Sequence, residues 1–362
     1  MTCRRLDPLI SHSIALIDPD QWVMGSMMLC KKVVGAIPED AITTWEDGSS
    51  SWYLCPKPPA GTTGLTFPGD LDAGRFYTAR KSRAIYNISP NVVCKVCSWV
   101  EGMQSEAANV LFVQKNAPTI PVPSVIHYWI DHSWHRSFFL MRRAPGEKLL
   151  DVWPRLSKSE IKQIATEVAS YAKILAQFTS QRVETLDGYG INENWLLGGW
   201  DQPRLEWQPI THPPYTRDTL MPYLIERYLG ETPPDPGDKF FFYHDDMQPG
   251  NIIVTAPSSP TESWRISAII DWETAGFYPY WWLTTKPSTC PVFCMQTEQG
   301  ENDFAWMDFF GQALEQVLGF PKDMAWITRF AHKNNALVAK DRGDSELPKK
   351  YLRESEHGRD SC

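Results

Sequence analysis

The stretch FFFYHDDMQPGNIIV, residues 240–254, decides how this sequence is interpreted. An apolar run ends at His244, a carboxylate follows at Asp246, and an amide side chain stands five residues later at Asn251, where a second apolar run begins. One loop between two strands would therefore carry both a proton acceptor and an oxygen that can bind a cation. Phosphoryl transfer needs both groups, and the pattern predicts a phosphoryl-transfer loop in which Asp246 accepts the proton of a substrate hydroxyl.

A second acidic residue, Asp271, ends the apolar run at 266–270. The segment PSSPT at 257–261 contains turn-forming residues, so the runs at 251–254 and 266–270 are expected to pair as a hairpin. A hairpin brings its open ends together, which would place Asn251 near Asp271. Since Mg²⁺ takes a few protein oxygens together with substrate phosphates, Asn251 and Asp271 are the predicted metal ligands. Either fragment alone also fits an ordinary polar turn; the combination favours the catalytic interpretation.

With its flanking motifs, the region resembles the aminoglycoside phosphotransferase family, particularly its fungal members. The resemblance runs from about residue 82 to about residue 287, and it includes IPVP at 120–123, PGEKL at 145–149, WPRLS at 153–157 and IDWETAGFYP at 270–279. It implies an α+β, two-lobed protein-kinase-like fold, with a small β-rich N-lobe and a larger, mainly helical C-lobe that bind ATP and Mg²⁺ between them. The implied reaction transfers the γ-phosphate of ATP to a hydroxyl of a small molecule, such as a secondary metabolite or an amino alcohol.

The resemblance also implies a lysine for the nucleotide phosphates, and Lys95 in the run NVVCKVC at 91–97 is the candidate. Strand periodicity places Lys95 on the opposite face from Cys94, so its side chain can point into a cleft. An exposed strand lysine is the alternative. Similarity to the family makes Glu106, at the start of a predicted helix, the partner of Lys95, with Glu101 as the fallback.

The segment LMRRAP at 140–145 is expected to join the lobes. By resemblance, adenine binds backbone groups there, which makes Met141, Arg142, Arg143 and Ala144 cofactor-binding residues. Relatives often carry an acidic residue at the position of Arg142.

Two further departures from the family pattern stand out. The segment AIYNISP at 84–90 contains no glycine, so no glycine-rich phosphate cradle is expected. Asp245 stands where the family usually has glycine. Its carboxylate could raise the pKa of Asp246, serve a cationic substrate or point into water, and the sequence leaves these alternatives open.

Composition indicates a globular chain and agrees with an enzyme: 43% of the 362 residues are hydrophobic and 22% are charged. A net charge of −8 argues against a nucleic-acid partner. No apolar run approaches the length of a membrane helix, and the N-terminal residues lack a signal-peptide pattern, so we expect a cytoplasmic protein with reduced cysteines. A metal site at Cys94 and Cys97 is disfavoured because positions i and i+3 of a strand face opposite sides.

The organisation predicted from the chain has four parts. Residues 1–80 form an N-terminal extension of loop and turn, because prolines and glycines cluster from Pro56 to Gly69. The N-lobe covers 81–146 and the C-lobe 147–339, with a capping box at 157–160 before one helix and a helical apolar pattern at 302–318. The charged residues at 340–362 are expected to form a flexible tail.

Two other functions compete with a small-molecule kinase. A protein kinase would need D-F-G and A-P-E motifs, and neither follows Asp271. A catalytically silent, nucleotide-binding pseudokinase or scaffold would be favoured if a catalytic side chain were replaced, but Lys95, Asp246, Asn251 and Asp271 are all present.

Overall fold

A computed structural model describes residues 9–57, 69–79, 82–198, 208–228, 230–259, 261–296, 302–320 and 322–342. The chain forms two compact units. The first comprises Met1–Asn116, Val122–Ala144 and Pro203–Pro209, and the second comprises Ala117–Pro121, Pro145–Gln202 and Ile210–Cys362.

The first unit begins with an antiparallel sheet in the order β1-β2-β3-β5-β4. Its strands are β1 (Ile14–Asp18), β2 (Gln21–Met24), β3 (Met28–Lys32), β4 (Thr43–Asp47) and β5 (Ser50–Pro56). The prediction of loop and turn for this part of the extension was wrong. The prolines and glycines behind it begin at Pro56, where β5 ends, and those at 58–68 lie outside the described residues.

A second antiparallel sheet follows in the order β6-β7-β8-β10-β9. Its elements are β6 (Arg75–Ala79), β7 (Arg83–Ser89), β8 (Val92–Ser98), α1 (Glu106–Asn116), β9 (Val125–Asp131) and β10 (Arg136–Arg142). Strand β8 is central, and its apolar residues are buried on both faces, as expected for a covered strand. The two sheets of this unit share one hydrophobic core, which includes Trp22, Met24, Cys30, Trp52, Tyr86, Val92, Val96 and Phe138.

The second unit contains short strands and most of the helices. The strands are β11 (Glu147–Lys148), β12 (Thr179–Ser180), β13 (Arg182–Val183), β14 (Tyr215–Thr216), β15 (Phe240–Tyr243), β16 (Ile252–Thr255), β17 (Arg265–Ile269), β18 (Gly276–Tyr278), β19 (Met295–Gln296) and β20 (Asn302–Asp303). The helices are α2 (Leu149–Val152), α3 (Lys158–Leu175), α4 (Asn194–Leu197), α5 (Arg217–Arg227), α6 (Trp282–Thr289), α7 (Ala305–Leu318) and α8 (Met324–Arg342). A β-rich first unit and a mainly helical second unit confirm the predicted α+β class.

The predicted hairpin is present, because β16 pairs with β17 in antiparallel register. Strand β11 adds to its other side, next to Gly146, whose φ is +109°. A Cβ at Gly146 would lie 2.2 Å from the main-chain oxygen of Val254. The glycine of the PGEKL motif therefore permits a backbone approach that no other residue allows.

Helix α3 begins with the predicted capping box. Ser157 Oγ accepts a hydrogen bond from Glu160 N at 3.3 Å, and Glu160 Oε2 accepts one from Ser157 N at 2.7 Å. The buried face of α3 packs against α7, the helix predicted from the pattern at 302–318.

At the C-terminal end, helix α8 continues to Arg342, so the predicted flexible tail does not begin at residue 340. The rest of that tail, residues 343–362, lies outside the described residues. None of the helices in the described segments combines the length and the apolar character required to cross a membrane.

Candidate active site

The loop after β15 is fixed by His244, which is buried. The main-chain N–H of Asp246 donates to His244 Nδ1 at 3.1 Å, so the ring proton resides on Nε2. Nε2 then donates to the main-chain oxygen of Ile270 at 3.0 Å. The histidine therefore ties the loop to the residue that precedes Asp271.

Asn251 holds Asp246 from the other end of the loop. Asn251 Nδ2 donates to the Asp246 main-chain oxygen at 2.9 Å and to Asp246 Oδ2 at 2.8 Å. Trp306 on α7 adds a hydrogen bond from Nε1 to the main-chain oxygen of Met247 at 3.2 Å. The Asp246 carboxylate is thus held in one orientation by its own loop, and that loop is fastened to a long helix.

The surroundings of Asp246 favour its protonated form. Withdrawal from water is the main cause that raises the pKa of Asp246 to about 6, and the charge of Asp271 acts in the same direction. Lys286 and the hydrogen bond from Asn251 partly oppose this increase of the pKa.

Asp271 stands at the open end of the hairpin, as predicted. Ile269 pairs with Ile252, and the main-chain N–H of Ile270 donates to the Asn251 main-chain oxygen at 2.9 Å. Asp271 follows in the left-handed conformation with φ +66°, which is uncommon for a residue other than glycine. The chain turns sharply there, and such backbone strain is typical of functional positions.

Asp245 also has a left-handed backbone, with φ +73°, which explains why glycine is usual at this position of the loop. Its carboxylate is fully buried: Oδ1 accepts from Trp282 Nε1 at 2.8 Å, and Oδ2 accepts from Lys286 Nζ at 2.6 Å. Burial raises the pKa of the Asp245 carboxyl well above its ordinary value. The sequence left open whether the Asp245 carboxylate contacts water or binds a cationic substrate. The structure excludes both, because Trp282 and Lys286 bind its two oxygens inside the protein.

In the first unit, Lys95 is buried on β8 with an exposed fraction of 5%, so the surface alternative for this lysine was wrong. Lys95 Nζ lies 2.6 Å from Glu106 Oε2, at the start of α1, and this carboxylate is almost as buried. Glu101, the fallback partner, is exposed in a turn before the helix. The pair holds the ammonium group of the strand lysine in a defined position.

Arginine side chains of the segment at 140–145 turn towards the first unit. Arg142 Nη1 donates to the main-chain oxygen of Glu46 at 2.5 Å, which links the end of β10 to β4. Arg143 donates to Asn87 Oδ1, and its guanidinium lies 5.3 Å from the ring centre of Phe76. Both guanidinium groups are therefore engaged with first-unit residues.

The main chain of the same segment also makes hydrogen bonds within the first unit. The main-chain N–H of Arg142 donates to Ser124 and that of Arg143 donates to Asn91, at 2.9 and 2.8 Å. Met141 is the last buried residue of β10, and Ala144 is the last residue of the first unit in this segment. The adenine contacts expected at Met141, Arg142, Arg143 and Ala144 stay a prediction.

Sequence reasoning missed two residues beside the loop, Lys286 and Glu193. Lys286 on α6 contacts both Asp245 and Glu193, and all three side chains are buried. One signal could have revealed the lysine. It is the single charged residue between Glu273 and Glu298, in a segment rich in tryptophan and tyrosine. A lone charge in an apolar segment requires a partner.

The loop and its hairpin have the residue pattern of a kinase-like phosphotransfer protein. The model of the phosphotransferase enzyme family matches residues 91–282, more than half of the chain. The chain therefore belongs to the phosphotransferase enzyme family, which confirms the predicted resemblance and the assignment as an enzyme. Strands β1 to β7 lie before the matched region. No curated protein sequence matches the chain.

Solved structures of aminoglycoside phosphotransferases are similar to the chain. A thermostable mutant of aminoglycoside phosphotransferase APH(4)-Ia, in a ternary complex with AMP-PNP and hygromycin B, shares 16% identity over 77% of this chain and 91% of that chain, with a TM-score of 0.44. Aminoglycoside-3'-phosphotransferase of type VIII shares 14% over 72% and 94%, with a TM-score of 0.44. APH(3'')-Id from Streptomyces rimosus shares 15% over 73% and 92%, with a TM-score of 0.43. The family assignment rests on the matched sequence region.

Proposed function

We propose that this protein is a small-molecule kinase that transfers the γ-phosphate of ATP to a hydroxyl group in a magnesium-dependent reaction. The observation that carries the proposal is the arrangement of Asp246, Asn251 and Asp271 on one loop and one hairpin. Asp246 orients the acceptor hydroxyl and accepts its proton as the oxygen attacks the γ-phosphorus. The product is a phosphate monoester, and ADP leaves.

Two residues would hold the magnesium ion. The amide nitrogen of Asn251 is committed to Asp246, which leaves Asn251 Oδ1 as its oxygen ligand, and Asp271 supplies a carboxylate. These hard oxygen donors fit Mg²⁺, which prefers one or two protein ligands and substrate phosphates to an all-protein site. When bound, the ion would neutralise charge on the phosphate oxygens.

Lys95 is proposed to bind the α- and β-phosphates of ATP. Its ammonium is buried against Glu106, so the side chain is already ordered before nucleotide binds. Preorganisation of this kind lowers the entropy lost on binding. Main-chain groups of Met141 to Ala144 are proposed to bind adenine.

The test is ATP consumption by the purified protein, with and without Mg²⁺, against a panel of aminoglycosides, amino alcohols and fungal metabolites. We expect acceptor-stimulated turnover that requires Mg²⁺. The Asp246→Asn variant should lose at least about 100-fold in kcat, because the hydroxyl loses its proton acceptor, while its Kd for ATP stays close to that of the wild type. A matched control is Asp151→Asn, which changes an exposed carboxylate on α2.

A wild-type kcat in the Asp246→Asn protein would exclude Asp246 as the base. A wild-type protein that binds ATP but consumes none with any acceptor favours the catalytically silent alternative.

A further inference from the structure

Three buried charged side chains meet directly behind the catalytic loop. Lys286 Nζ lies 2.6 Å from Asp245 Oδ2 and also contacts Glu193 Oε2. The exposed fractions of Asp245, Glu193 and Lys286 are 0%, 2% and 5%. We call these three residues the buried charge cluster.

Each member of the cluster belongs to a different element. Asp245 is on the loop, one residue before Asp246, and Lys286 is on α6. Glu193 caps α4, since its Oε1 accepts from Trp195 N at 2.7 Å and from Leu196 N at 3.3 Å. Lys286 therefore joins the catalytic loop to the start of another helix.

Burying the charges of this cluster is unfavourable in free energy. Charges removed from water lose hydration that their mutual attraction only partly restores, and the Asp245 backbone is strained at φ +73°. A glycine would relieve that strain and remove one buried carboxylate. A general need for stability does not explain the cluster, because apolar side chains usually fill such space at lower cost.

Its position next to Asp246 suggests what the cluster does. The Asp245 carboxylate is held on one oxygen by Trp282 and on the other by Lys286, so its own side chain has no freedom to rotate. The following peptide group donates to His244. Fixing Asp245 at both oxygens consequently fixes the backbone that carries the Asp246 carboxylate.

We propose that Lys286 is a positioning residue for phosphoryl transfer, whose ammonium clamps Asp245 to Glu193 and so sets the position of Asp246. The role in turnover rests on the proposed function; the clamp itself does not. Because catalytic groups must lie within a fraction of an ångström of their productive position, loss of the clamp acts on kcat.

The first variant is Lys286→Met, which keeps the length of the side chain and removes its ammonium. We expect kcat to fall by about tenfold or more and the KM for ATP to change less than about twofold, because ground-state nucleotide binding is not what the clamp controls. The matched control is Thr285→Val on the same buried helix, which removes a hydrogen bond to the Trp281 main-chain oxygen but leaves Asp245 untouched. It should keep the wild-type kcat.

Two further variants distinguish an effect of charge balance in the cluster from an effect of the position of Asp246. Lys286→Met alone leaves two buried carboxylates without their cation and can fail to fold. The double variant Asp245→Asn with Lys286→Met carries one ionisable acid in the cluster, Glu193, and so has the same formal charge as the wild-type cluster with its lysine and two acids. Asp245→Asn alone keeps an oxygen acceptor for Lys286, and asparagine tolerates a left-handed backbone.

A clamp predicts that kcat of the charge-matched double variant stays about tenfold below that of the wild type and lies below that of Asp245→Asn, which keeps the lysine. If the double variant recovers the wild-type kcat, the cluster only balances charge and the proposal is overturned.

Amide hydrogen exchange at residues 244–247 tests the clamp without any turnover. In the double variant, exchange at these residues should be about tenfold faster than in Thr285→Val. Unchanged exchange overturns the proposal. Faster exchange in a protein whose wild type shows no turnover supports the clamp and rejects the proposed function instead.

Discussion

Asn251 donates two hydrogen bonds to Asp246, one to its main-chain oxygen at 2.9 Å and one to its carboxylate Oδ2 at 2.8 Å. The five-residue spacing of these two residues in the sequence therefore has a geometric meaning: the loop closes on itself, and one amide holds the proposed base. The oxygen of the same amide is the proposed ligand of the magnesium ion. On this proposal, one side chain both orients Asp246 and binds the metal.

Replacing Asn251 with alanine should consequently affect two functions at once. Asp246 loses both amide hydrogen bonds, so we expect kcat to fall by about 100-fold even at saturating Mg²⁺. Steady-state kinetics over a Mg²⁺ titration measures this. Full recovery of kcat at high Mg²⁺ would mean that Asn251 serves the metal alone.

Asp271→Asn should mainly affect the metal. Asparagine accommodates the left-handed backbone of φ +66° but carries no charge, so the variant should fold and require about tenfold more Mg²⁺ for half-maximal rate. The control is Asp218→Asn, an exposed carboxylate on α5. An unchanged Mg²⁺ requirement in Asp271→Asn would exclude Asp271 as a ligand.

Lys95→Met should weaken ATP binding and lower stability together. Breaking the buried pair leaves the Glu106 carboxylate without its cation, a change that costs about 3 kcal/mol in the free energy of unfolding. The double variant Lys95→Met with Glu106→Gln should recover most of that stability but not the ATP affinity. Denaturant unfolding and ATP titration check the two effects, and recovered ATP affinity in the double variant would contradict a phosphate-binding role for Lys95.

Asp47 should make stability depend on pH. Burial tends to raise the pKa of this carboxyl, but hydrogen bonds from the main-chain N–H and the side-chain amide of Asn91 favour the charged form, and the pKa lies below its ordinary value. A lowered folded-state pKa means that the stabilisation is fully present above the unfolded pKa of about 3.9 and is lost as the pH falls through the folded value.

The measurement for Asp47 is the difference in Tm between the wild type and Asp47→Asn. We expect the wild type to be more stable at pH 7 and at pH 5, with a difference that shrinks below about pH 4. A difference that grows on acidification would show that the Asp47 pKa is raised, not lowered.

Local sequence patterns predicted several elements of this fold, because these elements depend on interactions between residues close together in the chain. The hairpin of β16 and β17 followed from turn residues between two apolar runs, and the start of α3 followed from Ser157 and Glu160. Strand alternation also gave the face on which Lys95 lies. The prediction of loop and turn was wrong for residues 14–56, because the prolines and glycines behind it lie at and after the end of β5 and not in the strands before it.

The sequence by itself determined the family, the α+β class and the spacing of Asp246, Asn251 and Asp271, since these depend on residues close together along the chain. Only the tertiary structure decided which groups the side chains of Asp245, Arg142 and Arg143 contact. Lys286 reaches Asp245 across 41 residues, and Arg142 reaches Glu46 across 96. Periodicity and turn chemistry carry no information about which distant side chains meet, because that choice is made when whole elements pack and each buried charge must find a partner.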